Sequence, residues 1–131
     1  MRTGDWNIGL STRVGAPDHD TVKIPRAPFT LTDWNSVPST VHKGKTGEAI
    51  WRTTEVAELR IRMVEYSPGY TADHWCDRGH VLLVLEGELV SEISDGRSFT
   101  LTKGMSYHVS DHRDASHRSS TKSGAKLFIV D

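Results

Sequence analysis

The stretch that decides the fold is Ala57-Glu58-Leu59-Arg60-Ile61-Arg62-Met63-Val64-Glu65-Tyr66, residues 57–66. Leu59, Ile61 and Met63 alternate with Arg60 and Arg62, a period of two that suits a strand with one buried and one wet face. The alternation predicts the apolar set inside and both arginines in water. Glu65 has the parity of the apolar set, so it is expected to face inward, as a general base or as an acceptor behind the reacting groups. It also sits beside the Ser67-Pro68-Gly69 turn, where exposure is common.

Working outward, the same short, β-branched texture runs from residue 48 to the end, broken by turn residues at the spacing of sandwiches and barrels. Candidate strands cover 49–54, 57–66, 71–76, 80–94, 97–102, 105–110, 117–121 and 126–130, and the class is all-β. Val81-Leu82-Leu83-Val84-Leu85 is apolar at both parities, so its outer face needs a cover, either the N-terminal segment or a second subunit. A homodimer is therefore expected. Asp95-Gly96, between two β-rich runs, reads as a two-residue hairpin.

Upstream, Pro25, Pro28, Pro38, Gly44 and Gly47 exclude helix beyond a turn near Thr32-Asp33-Trp34. Residues 24–47 are expected to drape over a barrel. Residues 1–23 mix glycine, proline, aspartate and threonine with few apolar positions, the composition of a flexible arm. The organisation is thus an arm over 1–23 and one domain over 24–131.

The whole chain has 131 residues, enough for one domain with a genuine core. Its 16 basic residues against 17 acidic ones leave a net charge of −1, no field for recruiting nucleic acid or an anionic membrane. With a single cysteine there is no intrachain disulfide, which leaves Cys76 as a free thiol, a buried filler or a metal ligand. Without a signal-like or membrane-spanning apolar run, the expected location is the cytoplasm.

Chemistry concentrates in Asp73-His74-Trp75-Cys76-Asp77-Arg78-Gly79-His80. Read as extended chain, His74 and Cys76 share a face and Trp75 points oppositely; His80 has the same parity, although Gly79 can bend the chain. Adding His117 yields three imidazoles and a thiolate. That donor set suits one divalent transition metal, whether zinc, iron, nickel or copper, and suits magnesium or calcium poorly. A cluster of hydrogen-bonded structural histidines is the other reading. Tyr107, on the parity of Met105 and Val109, is a further pocket candidate, as a core ring or as a hydroxyl near the reacting centre.

Residues 69–87 resemble the first motif of the cupin superfamily, in which two histidines one residue apart precede a glutamate and then a glycine. Set on Gly87, that motif puts His74 and Cys76 on the two histidines and His80 on the glutamate. Gly104-Met105-Ser106-Tyr107-His108-Val109-Ser110 followed by His117 is similar to the second motif, with Ser110 where proline is usual. The Asp73-His74-Trp75-Cys76 string, together with residues 124–131, resembles the DHCW-motif cupin-fold proteins. The resemblance implies a small jelly-roll-like barrel with both motifs facing its interior. It further implies a metal-dependent enzyme acting on a small molecule by oxidation, isomerisation or lyase chemistry. The competing expectation is a non-catalytic ligand-binding or sensing barrel, its metal closed off by four protein ligands. No phosphate loop or nucleophile elbow supports nucleotide hydrolysis or serine hydrolase chemistry.

Overall fold

The computed structural model describes residue 24, residues 26–111 and residues 116–131; the arm over 1–23 lies outside the described residues, as do His19 and His112. Eight antiparallel strands follow one 3-10 turn at Trp34–Ser36: β1 Ser39–Lys43, β2 Glu48–Val56, β3 Leu59–Tyr66, β4 His80–Ile93, β5 Ser98–Thr102, β6 Ser106–Val109, β7 His117–Ser120 and β8 Ala125–Val130. Asp33 caps the turn by accepting from the backbone N–H of Asn35, as an aspartate does where carbonyl-free N–H groups begin.

β4 organises the barrel. Its first half pairs with β8 on one side and β6 on the other, and its second half pairs with β5 and β7. The change of partner falls at a register shift between Val84 and Glu86, followed by Gly87 at φ 82°, a conformation that favours glycine. From β8 the sheet continues through β3 and β2 to β1. The inward residues Leu82, Val84 and Leu89 of β4 meet Leu127 and Ile129 of β8, Val64 of β3, Ala49 of β2 and Leu101 of β5 in one core. Each fully buried leucine in such a core contributes about 1.5–3 kcal/mol.

On β3 the expected faces are reversed. Arg62 and Val64 are buried at 6% and 3% exposure, Arg60 is half-buried, and Glu65 is exposed. The period-two pattern was a correct sign of a strand, but it does not say which side is inside. The deciding partner lies 69 residues away: Asp131 follows β8, and its backbone N–H and carbonyl pair with those of Arg60. Its carboxylate then accepts from Arg60 Nε and Nη2 at 2.9 and 3.0 Å and from Arg62 Nη2 at 3.0 Å. Trp51 of β2 lies under the Arg62 guanidinium, 4.3 Å from ring centroid to charge, and stacks on His42 of β1 at 3.8 Å.

Two smaller differences have local causes. The β4–β5 hairpin has a three-residue loop over 94–96, closed by Ile93 N–H to Arg97 O at 2.8 Å, because Gly96 at φ 102° supplies the left-handed residue that such a loop requires. The segment 71–79 forms only isolated bridges at Thr71 and Cys76, with a bend at Asp73-His74 between them. Of the segment expected to drape over the barrel, Trp34 packs edge-on against Phe128 at 6.3 Å, while Phe29 and Leu31 are 97% and 89% exposed. Val81 remains 55% exposed.

Candidate active site

His80 opens β4, and the β4–β6 register sets Leu82 opposite Tyr107, which brings Tyr107 diagonally next to His80 on the inner face. The His80 side chain is 8% exposed, and its Nε2 lies 2.7 Å from the Tyr107 hydroxyl. On the far side of the ring, Nδ1 is 3.8 Å from Asp131 Oδ2, within ion-pair reach but beyond a hydrogen bond.

His117 opens β7 and is buried at 4% exposure. Its ring lies 4.7 Å from that of His80 and 6.1 Å from that of Tyr107. Cys76 is bridged directly to His117, exchanging both backbone hydrogen bonds at 2.9 and 3.0 Å, a pairing that sets two side chains on the same face. The Cys76 sulfur accepts from the Arg78 N–H at 3.4 Å.

Three of the four expected ligands, Cys76, His80 and His117, are thus neighbours. The fourth is not among them. The bend at Asp73-His74 breaks the strand parity that would have aligned His74 with Cys76. His74 is 76% exposed, its Nδ1 2.6 Å from Asp73 Oδ1. Among the described residues, no group of three or more histidine, cysteine, aspartate and glutamate side chains is arranged to hold a metal ion. The donor types suit a transition metal, but as they lie the four do not fit one, and no reaction step is assigned to a metal.

Glu65 does not join the interior. It projects from the outer face, 54% exposed, with Lys126 Nζ 4.0 Å from its carboxylate, so the inward placement expected from its parity is corrected. Trp75 is 41% exposed under the Arg118 guanidinium at 4.4 Å, away from the histidines.

The Tyr107 and His117 rings face a cavity of ≈ 380 Å³ between the second half of β4 and β5, β6 and β7. Ser91 shares their end of it, Ile93, Leu101 and Val109 form the walls, and Phe99 and Met105 stand at the rim. Burial pushes the Tyr107 hydroxyl well above the usual tyrosine range, so it keeps its proton and can donate it. For Asp131 burial alone would raise the carboxyl. His80, Arg60 and Arg62 outweigh it and hold the group well below the ordinary carboxylate range. The charge behind His80 is therefore a permanent anion at neutral pH, itself fixed by two guanidinium groups.

The side chains of Arg62 and Asp131 are buried and those of Arg60 and Trp51 partly buried, whereas the alternation alone puts both arginines in water and assigns no place to the other two. The signal for Arg60, Arg62 and Asp131 is two arginines of one parity on a strand whose acidic residue, Glu65, has the other parity, which asks for a carboxylate from elsewhere.

No family model matches the chain, and no curated protein matches it. Solved structures do. An RmlC-like cupin from Shewanella frigidimarina NCIMB 400 is 18% identical, with a TM-score of 0.64 over 80% of this chain and 91% of that one. The polyketide cyclase RemF from Streptomyces resistomycificus is 18% identical, with a TM-score of 0.65 over 79% and 78%. Fe(II)-HppE with an alternative substrate is likewise 18% identical, with a TM-score of 0.65 over 79% and 60%. At such identities the likeness concerns the fold, and the fold is a small cupin-type β-barrel.

Proposed function

We propose that this cupin-fold chain is a small-molecule enzyme whose reacting groups are Tyr107, His80 and His117, and that it performs proton-transfer chemistry of the isomerase or lyase kind. The observation that carries this reading is the 2.7 Å contact between His80 Nε2 and the Tyr107 hydroxyl at the end of the cavity, backed by Asp131. A protonated tyrosine held by an imidazole that has a carboxylate within ion-pair reach is a general acid with a return path for its proton. Tyr107 donates to an oxygen of the bound molecule, and His80, with both ring nitrogens protonated for this step, supplies the replacement proton from Nε2 and is left neutral. Asp131 favours the proton on His80 Nδ1 afterwards. His117, on the other side of the pair, is positioned to take a proton from the same molecule. The enzymes among the similar folds support the class, not the reaction.

A second reading, a divalent transition metal on Cys76, His80 and His117, is favoured by the proximity of those three and by the Fe(II) in one similar fold. It requires the Asp73-His74 bend to turn His74 inward as the fourth donor. A place among the DHCW-motif cupins, on the string 73–76, belongs to this reading, as does a reducing cytoplasmic setting that keeps Cys76 a thiol.

Two measurements separate the readings. Proton transfer is tested by incubating the protein in deuterium oxide with a panel of small hydroxycarbonyl compounds and following carbon-bound hydrogen by NMR. Exchange above the blank is expected for the wild type and lost in Tyr107→Phe; no exchange with any compound that binds refutes the proposal. Elemental analysis of untagged wild type, Cys76→Ser and His117→Ala tests the metal: near one equivalent, lost in both variants, establishes it, and a metal-free wild type after reconstitution removes it.

A further inference from the structure

The chemistry of the cavity lining restricts what can enter. Ile93, Leu101 and Val109 give it apolar walls, and the rim residues Phe99 and Met105 stay 50% and 47% exposed, an unusual cost for two large apolar side chains flanking one opening. Tyr107, His117 and Ser91 are polar groups of the lining, which also includes Arg97, Thr100, Ser106 and His108. Among the described residues no carboxylate lines the cavity, and the one guanidinium among them, Arg97, is engaged by Asp95 through Nε at 2.9 Å while lying 5.9 Å from the centroid of the Phe99 ring. An anionic ligand would have to compete with Asp95 for that charge, whereas a neutral one need not. A ligand with an apolar body loses nothing at the walls and covers the rim.

From this arrangement we infer that the cavity binds a neutral, one- or two-ring molecule carrying a single hydroxyl or carbonyl. The ring lies between Phe99 and Met105, and the oxygen reaches Tyr107. This rests on the cavity being the site proposed above and adds the ligand class. The methionine thioether and the phenylalanine edge contact aromatic carbon favourably, while the buried tyrosine hydroxyl donates to the oxygen. The volume suits this size of molecule.

The probes are 2-naphthol and 2-naphthoate, alike in their rings and different in charge. Each is titrated into isotope-labelled full chain and followed by its amide shifts, with isothermal titration for affinity. Saturable binding of 2-naphthol with shifts confined to the lining, residues 91–93, 97–109 and 117, is expected, together with 2-naphthoate binding at least about ten-fold more weakly. Phe99→Ser and Met105→Ser should each weaken 2-naphthol about ten-fold, the amount lost with some 50 Å² of buried apolar surface. Both positions are half exposed, so the variants are expected to fold, and the wild-type shift map stands without them. Tighter binding of 2-naphthoate, abolished by Arg97→Gln, would overturn the inference in favour of an acidic ligand; no shifts from either probe would overturn it outright. Naphthol binding without deuterium exchange on any compound keeps the ligand class and rejects the proton-transfer reading, whereas exchange without naphthol binding does the reverse.

Discussion

Replacing Asp131 with asparagine changes one oxygen to nitrogen and removes the charge that neutralises the arginine face of β3. The carboxylate is 1% exposed and Arg62 7%, so neither can recruit water as a substitute. Asparagine retains one acceptor oxygen, enough for two of the three hydrogen bonds if it takes the place of Oδ2, and turns its amide N–H toward the Arg60 Nε donor. Breaking a buried pair while leaving its partner charged costs about 3–5 kcal/mol. Arg60, 24% exposed, can relax toward solvent, and Arg62 cannot, which puts the expected loss near the lower end, about 3 kcal/mol. For a domain of this size that corresponds to a fall in Tm of roughly 10–15 °C. Urea unfolding at pH 7 measures it directly, and the slope should be unchanged because the surface exposed on unfolding is the same. Adding Arg62→Met to the variant removes the stranded guanidinium and should recover part of the loss. A cost below about 1 kcal/mol, or no recovery in the double variant, would refute the claim that this face of β3 is dry and held by charge.

The same carboxylate ties stability to acid: its folded-state pKa lies below the unfolded value, so its contribution is complete above about pH 4 and declines as the pH falls through the folded value. Denaturation midpoints from pH 7 down to pH 2 should therefore drop below pH 4 in the wild type and change less in Asp131→Asn. Gly87 and Gly96 both have positive φ, but a side chain at Gly87 meets the Gly124 backbone while Gly96 has open space around it. Gly96→Ala should cost about 1–2 kcal/mol of strain alone, and Gly87→Ala more than 2 kcal/mol, compared by thermal unfolding.

The β architecture was legible because its cause is local. Short β-branched runs, turn residues and the alternation at Leu59–Met63 each report on their own few residues, and seven of the eight strands begin within about two residues of where the pattern put them. β1 escaped notice because Ser39-Thr40-Val41-His42-Lys43 is nearly all exposed and carries no buried alternation. The site was legible in part. His80, His117, Cys76 and Tyr107 do lie together, since each sits at a strand position whose face follows from register. Two readings failed where facing depended on distant chain: Glu65 because Asp131 draws the arginine face inward, and His74 because a bend interrupts the strand on which its parity was counted. A local pattern gives periodicity, but orientation belongs to the partner.

β4 is a single covalent segment on which four other strands hang, two on each half. Its hairpin partner β5 arrives within a few residues, but β8 closes a loop of some forty residues and holds the whole β3-side wall. Assembly must therefore wait for β8 to reach β4, and this non-local pairing makes folding slow for a domain of this size. In hydrogen exchange, Leu82, Val84 and Leu89 amides should protect as one unit and open only with the entire molecule, because no half of the barrel can let go of that strand without the other.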